Sequence, residues 1–326
     1  MKNTMLFILL SLASLSSFAW RETGHYSVCE IAYRTSSPAT KQILDRIFEG
    51  NPFAVNCTWP DHVRKTEEYG HTYNWHFINL NPGENYFENI SARGDALQAI
   101  VNLQDDLIEA RRDILNHRKP ISGEKARLVR EKLKFLGHFI GDIHQPLHVG
   151  HKTDLGGNKI SVKWEGIAKK NYRDFKMVKG AHLHAEDRER DVNLHKVLDE
   201  HFFDKLLKEL EIELGETGTG YEAYSDLLLK GKIVGFNQES FPEWTSASPE
   251  DWLNESLAER VALYEVAAGD ELSQNYFQKH KDLINLKVLK AGIRLGKILD
   301  NIFDKDYSLN SNEVSLRRKI QRALAK

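Results

Sequence analysis

The stretch from His138 to His148 places three histidines and one aspartate within eleven residues. His138 and Asp142 are four residues apart, so on a helix both side chains lie on one face, one turn from each other. Imidazole and carboxylate groups together suit a divalent cation such as zinc. Pro146 should end or kink this helix, so His148 would leave in a new direction and could serve a different ion. The facing of His144 stays open. A helix with capped or core histidines is the competing interpretation, but this density of ligand residues favours a metal site.

Other histidines and aspartates with ligand character lie in separate predicted helices. They are His25, Asp61, His76, His195 and Asp199. His195 and Asp199 repeat the spacing of four, which again places imidazole and carboxylate on one helix face. Taken singly, each of these residues more often has a structural role, as a helix cap, an interfacial histidine or a solvated pair. The residues alone therefore indicate a metal site without naming an enzyme.

The composition is that of an ordinary globular chain with balanced charge. Its 326 residues can bury a large core, and the length predicts one or two domains. The formal net charge is -2, so no broad basic surface follows. A protein that coats duplex nucleic acid electrostatically is therefore disfavoured. A metal centre would still allow phosphate recognition, since bound cations can be the largest local charges in a site.

Residues 1–19 have the pattern of a secretory signal peptide. Lys2 is the positive n-region, Leu6 to Leu15 is the apolar core, and a small-x-small cleavage site ends at Ala19. The apolar run is shorter than the roughly 18 residues of a membrane span. We therefore expect cleavage before Trp20, a secreted or periplasmic location, and no stable membrane association.

Cys29 and Cys57 are the only two cysteines in the sequence. Export would allow them to form a disulfide, but they could equally be two buried thiols. We favour unpaired thiols.

Hydrophobic periodicity predicts a mostly helical chain. Ile160 to Trp164 alternates instead, which predicts a strand that forms one arm of a small β-hairpin. The chain has no repeats and no low-complexity linker, so one compact helical domain is the simplest architecture. The predicted helices are Ser27 to Tyr33, Ala39 to Phe48, Trp59 to Lys65, Asp95 to His117, Gly123 to Ile143, Val192 to Leu214, Trp252 to Val266 and Leu283 to Phe303.

Several motifs occur in an order that resembles one known family. They are the signal peptide ending before Trp20, Trp-Pro-Asp-x-x-Arg, Trp-His-Phe-Ile-Asn, His-Phe-Ile-Gly-Asp-Ile-His-Gln-Pro-Leu-His, Asp-Leu-Gly-Gly-Asn and Asn-Leu-His-x-x-x-Asp. Together they resemble the zinc-dependent, single-strand-specific nucleases of the S-one/P-one type, from Trp20 to about Asp199 and more weakly beyond. The resemblance implies a single helical domain of the phospholipase C/nuclease type over residues 20–305. It leaves an insertion at about 167–191 and a basic tail at 306–326.

The resemblance also implies three Zn2+ ions and a ligand set for each. The first ion would be held by Asp61, His76, His138 and Asp142. The second would be held by the amine and carbonyl of Trp20, by His25 and by Asp142, which the two ions share. The third, more open ion would be held by His148, His195 and Asp199. Two close ions that share a carboxylate can supply a hydroxide nucleophile near neutral pH. Three divalent ions carry more positive charge than the three ligand carboxylates neutralise. The remaining positive charge would stabilise the negative charge that develops on a phosphodiester in the transition state. Because a free amine at Trp20 requires cleavage, the precursor should lack one ion.

Catalytic and substrate contacts follow from the same resemblance. Catalytic roles fall to Arg64, Asp61 and Asp142, and substrate contacts to Phe77, Asn79 and Asn158. Arg64 would clamp a phosphate oxygen, and Phe77 would stack on an unpaired base, which explains a single-strand preference. The structural alternatives are a surface arginine, core packing of Phe77 and turn stabilisation by Asn158. Asp154 would orient a ligand histidine.

The predicted function is hydrolysis of single-stranded DNA and RNA by a monomeric endonuclease, giving 5'-phosphorylated products and also removing 3'-phosphates from mononucleotides. The alternatives are a zinc-dependent phospholipase C on a similar scaffold and a non-catalytic zinc-binding protein. Phe77 and the Gly-Gly-Asn turn favour nucleic acid over a choline headgroup. For the insertion we expect a solvated surface loop, with contact to the nucleic acid backbone as the other hypothesis.

Overall fold

Helices from opposite ends of the chain pack together in the computed structural model, which describes residues 20–116, 121–164, 192–236, 241–272 and 274–326. The prediction of a mostly α chain is confirmed. The α-helices in these ranges are α1 (Arg21–Thr35), α2 (Pro38–Ile47), α3 (Trp59–Val63), α4 (Ala96–Ile114), α5 (Gly123–His144), α6 (Leu194–Lys196), α7 (Phe202–Glu209), α8 (Tyr221–Leu229), α9 (Phe241–Ser246), α10 (Pro249–Leu263), α11 (Gln274–Phe303) and α12 (Ser311–Leu324). A π-helical turn, Val197–His201, joins α6 to α7. The predicted signal peptide and insertion lie outside the described residues.

Local sequence explains where several helices begin. Pro38 opens α2, and the side chain of Ser37 before it accepts a hydrogen bond from a backbone amide of the first turn. Asp95 caps α4 in the same way. Ser248 and Asp251 form a reciprocal capping box at the start of α10. Each cap satisfies backbone amides that have no partner within the helix.

Helix α1 fits closely between α5 and α11 because glycines line both contacts. Each pair has a spacing of four: Gly137 and Gly141 on α5, and Gly292 and Gly296 on α11. A Cβ atom on Gly292 would lie 2.5 Å from the side chain of Ile31, and one on Gly141 would lie 2.8 Å from Nδ1 of His25. Glycine is therefore what allows α1 to carry His25 next to α5.

A disulfide joins Cys29 of α1 to Cys57, just before α3, with an S–S distance of 2.02 Å. The prediction of unpaired thiols is wrong. The two cysteines are 28 residues apart, and only the packing of α1 against the segment before α3 brings their Cα atoms within 6.6 Å. Sequence separation alone could not reveal this contact.

The small sheet has three strands among the described residues, in the order β2-β1-β3. Strand β1 (Ser161–Trp164) pairs antiparallel with β2 (Val192–Asn193), which confirms the predicted strand. Strand β3 (Glu271–Leu272) pairs with β1 in parallel, and the sequence did not predict it. The predicted hairpin is therefore part of a mixed sheet.

Several predicted boundaries differ from the structure, and α1 is among them, since it runs from Arg21 to Thr35 rather than from Ser27 to Tyr33. The helix predicted from Val192 to Leu214 begins after two strand residues and ends at Glu209. Helix α11 starts at Gln274 rather than at Leu283. The basic C-terminal segment contains α12, whose Leu316 is buried. No helix in the described ranges is both long enough and apolar enough to cross a membrane.

Candidate metal centre

The end of α5 determines how the stretch from His138 to His148 is arranged. His138 and Asp142 lie one turn apart on its last turns, and the helix ends at His144, just before Pro146. A 3-10 helix, Pro146–Val149, then carries His148 in a new direction. This confirms the predicted effect of the proline. All of the histidines and aspartates of this stretch are buried.

Four side chains from three segments meet around Asp142. His76 Nδ1 lies 3.2 Å from Asp142 Oδ2 and 3.6 Å from Asp61 Oδ1. His138 Nε2 lies 3.2 Å and 3.7 Å from the same two oxygens, and 2.9 Å from His76 Nδ1. Ligands of a tetrahedral zinc ion, each at about 2.0 to 2.1 Å, are about 3.3 to 3.4 Å from one another. The observed distances bracket this spacing, so the four donors fit one such ion.

Unsatisfied polar atoms also fit a cation at this place. Both carboxylate oxygens of Asp142, Oδ1 of Asp61 and both ring nitrogens of His25 make no hydrogen bond to any described residue, although all are buried. The same holds for Nε2 of His148 and Oδ2 of Asp199. Buried polar atoms without partners are costly. A divalent cation would satisfy them.

Backbone carbonyls fix the orientation of three of these histidines. Nδ1 of His138 bonds to the carbonyl of Cys57 at 2.7 Å, Nδ1 of His148 to that of His76 at 2.8 Å, and Nδ1 of His195 to that of Gly156 at 2.7 Å. A carbonyl only accepts, so each Nδ1 carries a hydrogen, and in the neutral form of the ring the lone pair is then on Nε2. Metal-binding histidines usually have such a partner on the other ring nitrogen.

The remaining predicted ligands extend the centre to both sides of Asp142. On one side, His25 Nε2 lies 3.5 Å from Asp142 Oδ1, and Trp20 is fully buried just before α1. On the other side, His195 Nε2 lies 3.0 Å from Asp199 Oδ2. His148 Nε2 lies 3.6 Å from Asp199 Oδ1. Three groups of described side chains have donor atoms close enough to hold a metal ion: His25, Asp61 and His138; His76, His138 and Asp142; and His148, His195 and Asp199. The first of these groups differs from the predicted set of Trp20, His25 and Asp142.

Protonation within the cluster follows from burial and mutual charge. Burial alone would raise the pKa of Asp142, but the charges of His138 and His148 hold it well below its usual value. Burial lowers the pKa of His76 to about 4, and burial with the charge of His138 lowers the pKa of His25 well below normal. Burial also acts on His148, but Asp142 raises its pKa well above normal. A cation would have to displace that proton.

Of the predicted substrate and catalytic residues outside the ligand sets, Arg64 is the one with a contact to a candidate ligand. Nη1 of Arg64 lies 3.2 Å from Asp61 Oδ1, at the edge of the centre. Phe77 and Asn79 are partly buried and alternate with the buried Ile78, so they share one face of an extended segment. Asn158 donates its Nδ2 to the carbonyl of Leu155 at 2.8 Å, which agrees with the turn-stabilising alternative.

Asp154 acts on the turn rather than on a ligand. Its Oδ1 accepts hydrogen bonds from Gly157 N at 2.6 Å and from the Tyr264 hydroxyl at 2.9 Å. This turn places the Gly156 carbonyl where it accepts the hydrogen bond from His195 Nδ1. The prediction that Asp154 orients a ligand histidine directly is therefore wrong, because backbone oxygen has taken that place.

Two neighbours of Pro146 have roles that the sequence did not settle. Gln145 donates a hydrogen bond from its Nε2 to Asp199 Oδ1 at 2.7 Å, so it orients a candidate ligand, and no prediction from the sequence included it. Only its place within the histidine-rich stretch could have indicated this. His144 points away from the cluster, with Nδ1 2.7 Å from the Ile140 carbonyl and Nε2 2.9 Å from Arg294.

Fold and site together define a class: a mostly helical protein with a buried histidine–aspartate centre of the kind that metal-dependent hydrolases use. The family model described as S1/P1 Nuclease matches residues 20–304. The chain belongs to this family and is a nuclease, a hydrolase that acts on phosphodiester bonds.

Named relatives agree with this assignment over nearly the whole chain. Endonuclease 1 of Arabidopsis thaliana is 26% identical over 318 residues, covering 93% of each chain. Nuclease S1 of Aspergillus oryzae is 25% identical over 90% of this chain and 94% of its own. Nuclease P1 of Penicillium citrinum is 26% identical over 87% of this chain and 97% of its own.

Proposed function

We propose that this chain is a secreted or periplasmic endonuclease that uses three Zn2+ ions to hydrolyse single-stranded DNA and RNA. It leaves 5'-phosphorylated products and also removes 3'-phosphates from mononucleotides. The observation that carries the proposal is Asp142, whose two unpartnered buried oxygens lie within 3.5 Å of imidazole nitrogens from His25, His76, His138 and His148. A carboxylate so placed can serve two ions at once.

The three ions would be held by the ligand sets that the family resemblance implies. Asp61, His76, His138 and Asp142 form one set; Trp20, His25 and Asp142 form the second; His148, His195 and Asp199 form the third. When bound, such ions supply Lewis acidity for a phosphoryl oxygen and lower the pKa of water near it. The donor set of imidazoles and carboxylates suits zinc, and the buried positions suit tight binding.

Arg64 supplies the charge that the protein itself brings to the phosphodiester. Asp61 holds Nη1 of its guanidinium at 3.2 Å, and the side chain remains 11% exposed at the edge of the centre. From there it would donate hydrogen bonds to a non-bridging phosphate oxygen as negative charge grows during in-line displacement. The carboxylate of Asp61 thus has two tasks, as a ligand and as the partner that orients Arg64.

Phe77 would provide the preference for unpaired bases. Its ring is partly buried and shares a face with Asn79, next to the ligand His76. An aromatic ring stacks on any base without reading its sequence, but only when the base is free of a duplex. The remaining carbonyl oxygen of Asn158 would accept from a base edge while its amide nitrogen holds the turn.

The first experiment combines metal analysis with a digestion assay on the processed protein. We expect three zinc ions per chain and release of acid-soluble, 5'-phosphorylated nucleotides from single-stranded DNA in preference to duplex. Hydrolysis of phosphatidylcholine without such release would replace the proposal with the phospholipase C alternative.

A second experiment separates an enzyme from a protein that only binds zinc. Arg64→Ala should lower kcat on single-stranded DNA by about 100- to 1000-fold, as removal of one transition-state donor does elsewhere, while zinc content is retained. Arg318→Ala on the exposed side of α12 is the matched control and should retain full activity. Unchanged turnover in Arg64→Ala would contradict its role as phosphate clamp.

A further inference from the structure

Tyr73 is the only phenylalanine, tryptophan or tyrosine in the described ranges that is exposed, with 47% of its surface accessible. It lies in a 3-10 helix, Gly70–His76, three residues before the candidate ligand His76. Its neighbours Trp75 and Phe77 are partly buried, whereas the ring of Tyr73 extends into solvent. One exposed ring is ordinary on a protein surface, so the position of Tyr73 relative to Arg64 and Phe77 carries the argument.

The ring of Tyr73 lies close to both groups proposed to hold substrate, Phe77 and Arg64. Its centroid is 6.1 Å from that of Phe77, and the two planes meet at 83°. The guanidinium carbon of Arg64 lies 5.8 Å from the same centroid, within the range of a cation–π contact. Arg64 in turn reaches Asp61. Tyr73 and Phe77 therefore form an aromatic corner beside the phosphate clamp.

This corner has two ring surfaces at nearly a right angle, so both cannot stack on the same base. A single strand, however, offers successive bases on either side of each phosphate, and it can turn between them because it is unpaired. With Arg64 on the phosphate and Phe77 under one base, the next base along the strand would be the one to meet Tyr73.

We propose that Tyr73 is a second stacking platform, which binds the nucleobase neighbouring the one on Phe77. The inference rests on the proposed nuclease function and extends it to a second nucleotide of the substrate. It makes the enzyme prefer oligonucleotides to single nucleotides, without selecting a particular base, since every base offers a π face.

The test uses short single-stranded oligonucleotides with one cleavable phosphodiester and the zinc-loaded protein. One substrate has all bases, and two others carry an abasic residue on one or the other side of that bond. Tyr73→Ala should lower kcat/KM on the complete substrate by about 5- to 100-fold, the range for removal of one stacking platform. On one of the abasic substrates the same variant should differ from wild type by less than about threefold.

Further variants separate stacking from an effect on Arg64. Tyr73→Phe keeps the ring and should restore most of the rate, whereas Tyr73→Leu should not. The Kd of a phosphorothioate oligonucleotide that resists cleavage should rise in parallel in Tyr73→Ala. Leu324→Ala, an exposed apolar residue at the end of α12, is the control and should leave every parameter unchanged.

Two results would overturn the proposal. Equal losses on the complete and both abasic substrates would mean that Tyr73 acts only by positioning Arg64, and no loss on any substrate would mean that it contributes nothing. Failure of the wild-type protein to cleave single-stranded DNA would instead reject the proposed function itself, so the two failures can be distinguished.

Discussion

Among single residues, Asp142 has the greatest influence on the candidate centre. Its carboxylate approaches imidazoles that arrive from α1, from α5 and from the two 3-10 helices on either side of it in the fold. An aspartate four residues after a histidine is a common helical pair, and nothing in that spacing reveals the other three contacts. Its importance therefore comes from tertiary packing and not from its own helix.

Asp142→Asn tests whether one carboxylate serves two ions. The amide has the same size, but its nitrogen carries hydrogens and cannot act as a second ligand atom. We expect zinc content to fall from three ions per chain to about one and kcat to fall more than about 100-fold, beyond the cost of losing an outer-shell partner. Mass spectrometry of metals measures this, with Asp226→Asn as control, a residue whose side chain is 41% exposed. Full zinc content in the Asp142 variant would contradict the prediction.

His280 should make stability depend on pH independently of the metal centre. Burial, helped by the charge of Lys279, lowers its pKa to about 4. In the unfolded chain the pKa of a histidine is about 6.5. The stability that comes from burying neutral His280 is therefore complete above pH 6.5, and it is lost as the pH falls towards 4, because the unfolded chain then binds a proton that the folded chain does not. When the pH falls from 7 to 5, the free energy of unfolding should decrease in both proteins. The decrease should be smaller in His280→Gln than in wild type, by about 1 to 2 kcal/mol.

Denaturant titrations at both pH values measure this difference. His71→Gln, on an exposed histidine, controls for the loss of a histidine as such. The same loss of stability in His280→Gln and wild type over this range would show that His280 does not titrate as its burial requires.

At the scale of elements, the glycines of α5 decide how closely α1 can carry its ligand. Gly141→Ala would place a methyl group 2.8 Å from His25 Nδ1, whereas Gly137→Ala would place one 2.7 Å from Cys29 Sγ. Both variants should lose about 1 to 3 kcal/mol of stability from overpacking. Only Gly141→Ala should also lose zinc from the site that contains His25.

Zinc content and chemical denaturation in the presence of a chelator separate the two effects. Gly235 has open space around it and serves as the neutral position, so Gly235→Ala should behave as wild type. If Gly141→Ala keeps all its zinc, then α1 can shift without disturbing His25, and the close fit of the helices is not what positions this ligand.

Elements with a strong local pattern could be predicted, and those without one could not. Helix α5 combines an apolar period with a terminal proline, so both its course and its end were predicted. The predicted start of helix α11 is nine residues too late, because its first two turns are rich in charged and polar residues, with only Phe277 and His280 buried. Strand β3 has only two residues, too few to show any alternation.

The candidate site follows the same division. Its histidines and aspartates could be found in advance because each lies in a recognisable motif and few other residue types bind zinc. The disulfide, the role of Gln145 and the indirect action of Asp154 could not be found, since each depends on which backbone atoms come close after folding. Local spacing predicts which side chains share one face of a helix, and tertiary packing determines which other groups they contact.

At the scale of the whole molecule, the Cys29–Cys57 disulfide joins two segments that carry candidate ligands. Cys29 is one turn after His25, Cys57 is one turn before Asp61, and the Cys57 carbonyl holds His138. A crosslink over 28 residues contributes about 3 to 4 kcal/mol by restricting the unfolded chain. We expect the Cys29→Ser/Cys57→Ser double variant to lose about this much and also to bind zinc more weakly.

Competition with a chromogenic chelator measures the second effect separately from unfolding. Lys125→Ala, which removes an exposed ion pair with Asp113, provides a control for general surface perturbation. A double variant that is less stable but competes for zinc as well as wild type would restrict the disulfide to a purely structural role.

The disulfide also bears on the cell that makes the protein. If the chain is exported as proposed, it has neither this disulfide nor the free amine of Trp20 while it is still on the cytoplasmic side of the cell membrane. A retained copy would lack both the covalent tie and the terminal ligand, so it would pose little danger to the messenger RNA of its producer. Toxicity on forced retention should then rise only when oxidising conditions and a trimmed N-terminus are supplied together.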